Sequence, residues 1–154
     1  MYQGLVRGRI VSVFDHLSDG DYEYALSGLT PDVHHRFAGR HPLGGERTDR
    51  EAVRAWFERL YRLFPQLQFT VHRAGVSGWP WDLRVFVQWT AEVTPAVGPT
   101  YQNIGAHILR IRRGKVHEFL AYEDSQAVAN ACAVMAEAGI AEATAPPITS
   151  AGAR

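Results

Sequence analysis

The sequence predicts an α+β domain in which helices pack on one face of a bent, mainly antiparallel sheet. Two patterns carry that expectation. Apolar residues recur at helical spacing within the first 64 residues, and from Gln66 to about Tyr122 the spacing changes to period two with β-branched and aromatic enrichment. Helices placed ahead of a long meander segregate onto one sheet face, and a bent sheet leaves a cavity beneath them. Length adds a third argument: 154 residues suit one domain, and a chain of this size buries roughly 68–70% of its unfolded surface.

Each element has a local reason. Leu5, Ile10, Val13, Phe14 and Leu17 predict an amphipathic helix over residues 5–17, broken by Ser18-Asp19-Gly20-Asp21. Asp21 is placed to cap a short helix over 22–29, its carboxylate accepting unpaired first-turn amides. Thr30-Pro31-Asp32 ends that helix and opens an extended stretch over 33–38, followed by a Gly-rich loop over 39–48. Thr48 or Asp49 caps the next helix, 50–64, whose stripe is Val53, Trp56, Phe57 and Leu60, and Pro65 stops it. Four strands are expected over 67–77, 83–94, 101–112 and 116–122, the last two joined by the Arg113-Gly114-Lys115 turn. Asp124 or Ser125 caps a final helix over 126–138, terminated by Gly139. Residues 1–142 then form a single domain, and 143–154, rich in Ala, Pro, Thr and Ser, read as a flexible tail.

Composition excludes several classes. Sixteen Lys and Arg balance sixteen Asp and Glu, which is no electrostatic footprint for nucleic acid. Cys132 is the lone cysteine, ruling out an internal disulfide framework or a multi-cysteine zinc site; mid-helix among Ala and Val, it reads as a buried thiol. No apolar run approaches the length of about 18 residues needed to span a membrane. The first 14 residues lack a small-residue cleavage site, so the expectation is a cytoplasmic protein.

Five local motifs then line up: LSDGD at 17–21, PDVHHRFAGRHPLGG at 31–45, the helix start at 49–57, ILRIRRGKV at 108–116 running into Glu118, and Asp124 before the last helix. Their order and spacing resemble the nuclear transport factor 2-like fold, particularly its SnoaL-like branch of polyketide cyclases, over about residues 5–138. The resemblance implies a cone-shaped α+β barrel whose bent sheet wraps around N-terminal helices, and a homodimer formed through the convex sheet face. It does not fix the activity. The acid base, tyrosine and protonated aspartate of the ketosteroid isomerases fall here on Arg36, Val13 and His107, and none matches. The last-strand aspartate of limonene-type epoxide hydrolases and SnoaL-type cyclases falls on Ala121, and the partnering Arg-x-Asp reads Arg84-Val85-Phe86.

Strand alternation selects what remains. If His107 points inward, Tyr101, Asn103, Gly105 and Leu109 share its side; on the last strand His117, Phe119 and Ala121 share a face, with Glu123 next. His107, set in the apolar run Ile104–Leu109, reads either as a general acid/base near neutral pH or as a hydrogen-bonded core histidine. His34 and Arg36 share one face of the first strand and read as carbonyl or anion stabilisers, or as surface groups paired with a carboxylate such as Glu123. His35 belongs to the other face, at a dimer contact or under a helix. Tyr101 and Asn103 read as orienting groups, and Trp56, Trp89 and Phe119 as walls of the cavity. His34, His35, His41 and His107 do not form a metal site on this reading, because adjacent strand residues point oppositely and no His-Glu-x-x-His occurs. The sequence therefore supports a cofactor-independent enzyme moving protons on a hydrophobic carbonyl compound such as a polyketide, by cyclisation, isomerisation or dehydration. The alternative is a non-catalytic module that binds a hydrophobic ligand in the same cavity.

Overall fold

A computed structural model describes residues 1–151. In chain order its elements are α1 (Tyr2–Ser18), α2 (Tyr22–Ser27), β1 (Leu29–Phe37), β2 (Gly45–Arg47), α3 (Arg50–Leu63), β3 (Gln66–Trp79), β4 (Asp82–Thr94), β5 (Tyr101–Arg112), β6 (Lys115–Glu123) and α4 (Ser125–Glu137), then a 3₁₀ turn at Ala141–Thr144. The α+β expectation holds. Six strands form one curved sheet in the order β2-β1-β6-β5-β4-β3, which is not closed: β2 and β3 remain as edges. All pairings are antiparallel except β1 with β6, which is parallel.

The three aspartates read as caps do cap. Asp21, Asp49 and Asp124 each accept a hydrogen bond from the amide three residues on, at Tyr24, Ala52 and Ala127. On β4 the alternation is clean: Leu83, Val85, Val87, Trp89, Ala91 and Val93 are buried while the residues between them face out. A one-residue slip would reverse every side chain, so burial pins the register. Register shifts between Val71 and Arg73 on β3, and between Val116 and Glu118 on β6, mark bulges that bend the sheet. The concave face is covered by α1, whose Val6, Ile10 and Phe14 are buried, and by α3 through Val53, Trp56, Phe57 and Leu63. Tyr61 donates to the Leu17 carbonyl at 2.5 Å, and the Ser18 hydroxyl accepts from the Phe69 amide, so α1 is tied to both α3 and β3.

Three departures from the sequence reading have physical causes. First, β1 begins at Leu29 rather than Val33, because its pairing with β6 skips between Leu29 and His34 and so accommodates Pro31, which has no N–H to give. Second, β2 lies inside the expected loop; its three residues pair with His35, Arg36 and Phe37. Third, the segment from 143 onward, read as a flexible tail, lies against the body as far as Ser150. Ala143 is buried, the Arg59 guanidinium donates to the Pro146 carbonyl at 2.7 Å, Arg47 Nε donates to the Ile148 carbonyl at 2.9 Å, and the Ser150 hydroxyl accepts from the Thr48 amide at 2.7 Å.

Arg47 is the buried cation of this corner, only 1% exposed. Its other nitrogens donate to the Gly44 carbonyl at 2.8 Å and to His35 Nδ1 at 2.9 Å. Burial, with Arg59 nearby, pulls its pKa down to about 10. Replacing Arg47 with Met should destabilise the fold by about 2–4 kcal/mol, because each buried acceptor left without a donor costs about 1–3 kcal/mol. Urea unfolding measures this; a midpoint within error of the parent would show that the arginine does not hold the strap formed by residues 143–150.

Candidate functional site

Between the concave sheet face and helices α1, α3 and α4 lies a cavity of about 420 Å³ with mostly apolar walls. Trp56, Trp89, Tyr101, Asn103, His107, Phe119 and Glu123 all line it, Tyr101, Asn103 and His107 from the one face of β5 that alternation assigns to them. His34 and Arg36 do not. Both project from the opposite face of β1, where His34 Nε2 lies 3.2 Å from Glu46 and Arg36 pairs with the same carboxylate. His34, foremost, and Arg36 hold the Glu46 carboxyl below its ordinary value. They form a surface cluster with Glu46, not with Glu123, and they cannot reach a ligand in the cavity. His35 points inward, fully buried, with its ring stacked on Phe119 at 4.1 Å and edge-on to Trp56 at 4.5 Å.

His107 is set by its neighbours on the sheet. Trp89 pairs directly with Gly105, and a side chain at 105 would meet the indole at 2.4 Å. The missing Cβ lets the indole lie over β5 and donate its N–H to His107 Nδ1 at 2.7 Å. An indole N–H only donates. His107 Nδ1 is therefore an acceptor, and the imidazole carries its proton on Nε2, which has no protein partner among the described residues. Phe14 packs edge-on to the ring at 5.3 Å. Burial in this apolar setting lowers the His107 pKa to about 4, so at neutral pH the group is an uncharged hydrogen-bond donor. Proton abstraction through Nδ1 is blocked by Trp89.

Glu123 ends β6 with a side chain that is 0% exposed. Both carboxylate oxygens are sealed and unpartnered among the described residues, and burial raises the carboxyl's pKa above its ordinary value. His107 pairs with Ala121, and Gly105 with Glu123. The two ionisable residues thus occupy diagonal positions on one face of adjacent antiparallel strands, roughly 7–8 Å apart. Asn103 plays a different part from the orienting role expected of it. Its Oδ1 accepts from the Ile104 and Asp124 amides at 2.8 and 3.1 Å, so it fastens the end of β6. Tyr101 lines the cavity near Glu123, and burial raises its pKa.

One neighbour escaped the sequence reading except as a rejected metal ligand. His41, on the loop after β1, places Nε2 3.6 Å from Glu123 Oε1, with only 1% of its side chain exposed. Nothing local in the sequence signals this approach, because it follows from the parallel pairing of β1 with β6. Among the described residues no group of three or more His, Cys, Asp or Glu could hold a metal ion. The Cys132 thiol is buried and its pKa is pushed up to about 11, away from nucleophilic use. No helix is long and apolar enough to cross a membrane among the described residues.

The family model of the SnoaL-like domain matches residues 10–119, and the chain belongs to that family. None of the curated proteins matches the sequence. Among solved structures, an NTF2-like protein of unknown function from Burkholderia pseudomallei superposes with a TM-score of 0.70 at 19% identity, covering 79% of this chain and 92% of its own. TerC, co-crystallised with polyporic acid, gives 0.65 at 23% identity over 77% of this chain and 90% of its own. A protein provisionally assigned as a SnoaL-like polyketide cyclase from Jannaschia sp. gives 0.62 at 19% identity over 84% and 92%. At these identities the likeness establishes the fold.

The depressed His107 pKa carries a stability consequence. Between its ordinary value of 6.5 and about 4 the unfolded chain holds the extra proton, so stability is full above about pH 6.5 and is lost as pH falls toward 4. The loss attributable to His107 is at most about 3 kcal/mol, and the buried, similarly depressed His35 acts in the same direction. Urea unfolding at about pH 7 and about pH 4.5 should show a smaller difference in His107→Phe than in the parent. An equal difference in both would place the acid sensitivity elsewhere.

Proposed function

We propose that this protein is a cofactor-independent enzyme that moves a proton on a hydrophobic carbonyl compound, such as an aromatic polyketide or a related quinone. The observation that carries the proposal is the pairing of two unlike groups on one apolar wall: a neutral His107 with a free Nε2–H, and a buried Glu123 carboxyl without hydrogen bonds. A substrate carbonyl oxygen would accept from His107 Nε2–H. Glu123, ionised, would take the proton from the carbon beside that carbonyl. The C–H electron pair then shifts to form the enolate, whose oxygen His107 stabilises, and the proton returns from Glu123 to carbon in an isomerisation, or to a leaving hydroxyl in a dehydration. A neutral imidazole suits this task, because it donates without the cost of burying a second charge.

The test uses hydrogen exchange. Hydrophobic ketones bearing hydrogen on the carbon beside the carbonyl would be incubated with protein in deuterium oxide and followed by mass spectrometry. Exchange or product formation should fall about 10²–10³-fold in His107→Leu and in Glu123→Gln. It should also rise with pH through the elevated pKa of Glu123, whose ionised form is the active one. Unchanged rates in both variants would refute the assignment. Ligand stabilisation of the fold without exchange would favour the second reading, a hydrophobic-ligand-binding module, which the apolar walls and the alanine at 121 support.

The homodimer belongs to the same proposal. Phe86, Ile104, Ile108 and Tyr122 are exposed on the convex sheet face, Phe86 directly opposite Ile108, and Ile104 is 64% accessible. A second copy of the chain would cover this row. Sedimentation should give a dimer at micromolar concentration that Ile104→Glu dissociates, whereas a monomeric parent would end the idea.

A further inference from the structure

We infer that His41 is a positioning residue for Glu123, supplying the one side-chain N–H that the described residues aim at its carboxylate. The inference rests on the reading of Glu123 as the proton acceptor. Its basis is geometric. His41 Nδ1 accepts the Leu43 amide at 3.3 Å, which leaves the ring proton on Nε2. That nitrogen is sealed, has no other partner, and lies 3.6 Å from an equally sealed and unpartnered Oε1 of Glu123. Closure by about half an ångström makes a hydrogen bond of ordinary length. Ionisation of Glu123 supplies the attraction for it.

The loop is built to hold the ring there. Gly39 has φ of +110°, and a Cβ at that position would meet His41 Nε2 at 2.5 Å and Ser125 Cβ at 2.6 Å, so only glycine lets the imidazole sit beside the start of α4. Phe37 packs edge-on to the ring at 5.7 Å. Three side chains then fix the carbonyls that follow: Arg59 on Pro42 at 2.9 Å, the Trp56 indole on Leu43 at 2.8 Å, and Arg47 on Gly44 at 2.8 Å. Leu43 is thus held at both its amide and its carbonyl, and its amide sets the tautomer of His41.

The other titratable groups around Glu123 oppose or merely adjoin it. Asp124, its chain neighbour, raises its proton affinity; Tyr101 from β5 lines the same cavity and interacts with both Glu123 and the Cys132 thiol of α4. His41 acts the other way, favouring the carboxylate. Without that donor an ionised Glu123 would have no side-chain hydrogen bond from the described residues, and burial would favour its protonated form. In the reaction proposed above, His41 never touches the substrate; it favours the ionised Glu123 that acts as the base.

Carboxyl ¹³C NMR on glutamate-labelled full-length protein, with the Glu123 signal assigned by its loss in Glu123→Gln, tests this without any substrate. In the parent, Glu123 should titrate above the usual carboxylate range. In His41→Leu the midpoint should rise by at least about one pH unit, and His41→Gln, which keeps a side-chain N–H, should recover at least half of that rise. An unmoved midpoint in His41→Leu overturns the inference. Should that variant not fold, the His41 Nε2–H signal of the parent decides: it should shift with the titration of Glu123, and indifference to it overturns the inference equally. Full exchange activity in Glu123→Gln would instead refute the proposed reaction, while these titrations would still report whether the two residues are coupled.

Discussion

The site depends on the parallel pairing of β1 with β6. Antiparallel neighbours can be joined by a short turn, whereas a parallel pair needs a long connection. Here that connection contains β2, α3 and the whole β3–β5 meander. The register sets His35 beside Phe119 and Phe37 beside Ala121, and the Ala38 amide continues the ladder onto the Ala121 carbonyl at 3.1 Å. From that point the chain after β1 must turn where β6 ends. Glu123 and the 39–44 loop are therefore brought together by sheet topology, and α3, which follows the loop, is laid over the concave face so that Trp56 reaches the cavity.

At and around the cavity several polar groups have part of their hydrogen-bonding capacity already committed. Trp89 takes the acceptor of His107, the Leu43 amide takes the acceptor of His41, and the Ile104 and Asp124 amides take the oxygen of Asn103. What is left over is directional: donors at two imidazole Nε2 atoms and acceptors on one carboxylate. In apolar surroundings the His107 donor and the Glu123 carboxylate meet little competition from water, which strengthens whatever bond a ligand makes with them, while the His41 donor is turned to Glu123. The same surroundings keep His107 uncharged and raise the proton affinity of Glu123. One physical cause, burial among Phe and Trp side chains, thus prepares a neutral donor and a carboxyl inclined to hold a proton.

Local patterns made much of the fold legible. Aspartate caps, proline stops and the period-two run each act over a few residues, and each is found where the sequence places it, with ends moved by a few positions. Alternation from His107 gave the inward face of β5, and on β6 it grouped Phe119, Ala121 and Glu123, because side chains two apart on a strand must share a side; His117, grouped with them, is instead the extra residue of a bulge and does not line the cavity. Alternation could say that His34 and Arg36 share a face but not which face was inward. That choice is made by β2 and α3: Glu46 supplies the outer partner for both residues, and Trp56 covers His35. His41 was illegible for a stronger reason. Eighty-two positions separate it from Glu123, and only the parallel register joins them. The docking of residues 145–150 was likewise hidden, since Ala, Pro, Thr and Ser have no periodicity and are held here through their carbonyls and a hydroxyl.

That docking bears on the site through two arginines. Arg47 spends Nε, Nη1 and Nη2 on three acceptors, the Ile148 carbonyl, His35 and the Gly44 carbonyl, which belong to three separate stretches of chain. Arg59 bridges Pro42 and Pro146. A planar guanidinium presents such donors in fixed directions, whereas a lysine ammonium on a flexible stem would not fix their mutual angle. Neither arginine has a carboxylate within salt-bridge distance among the described residues. Their contribution is therefore one of shape more than ion pairing, with the desolvation of Arg47 visible in its lowered pKa. The loop that carries His41 is clamped between α3 on one side and the strap on the other. A wall assembled from polar backbone in this way can be stiff without a hydrophobic core of its own, and stiffness is what a 3.6 Å approach between two unpartnered groups requires.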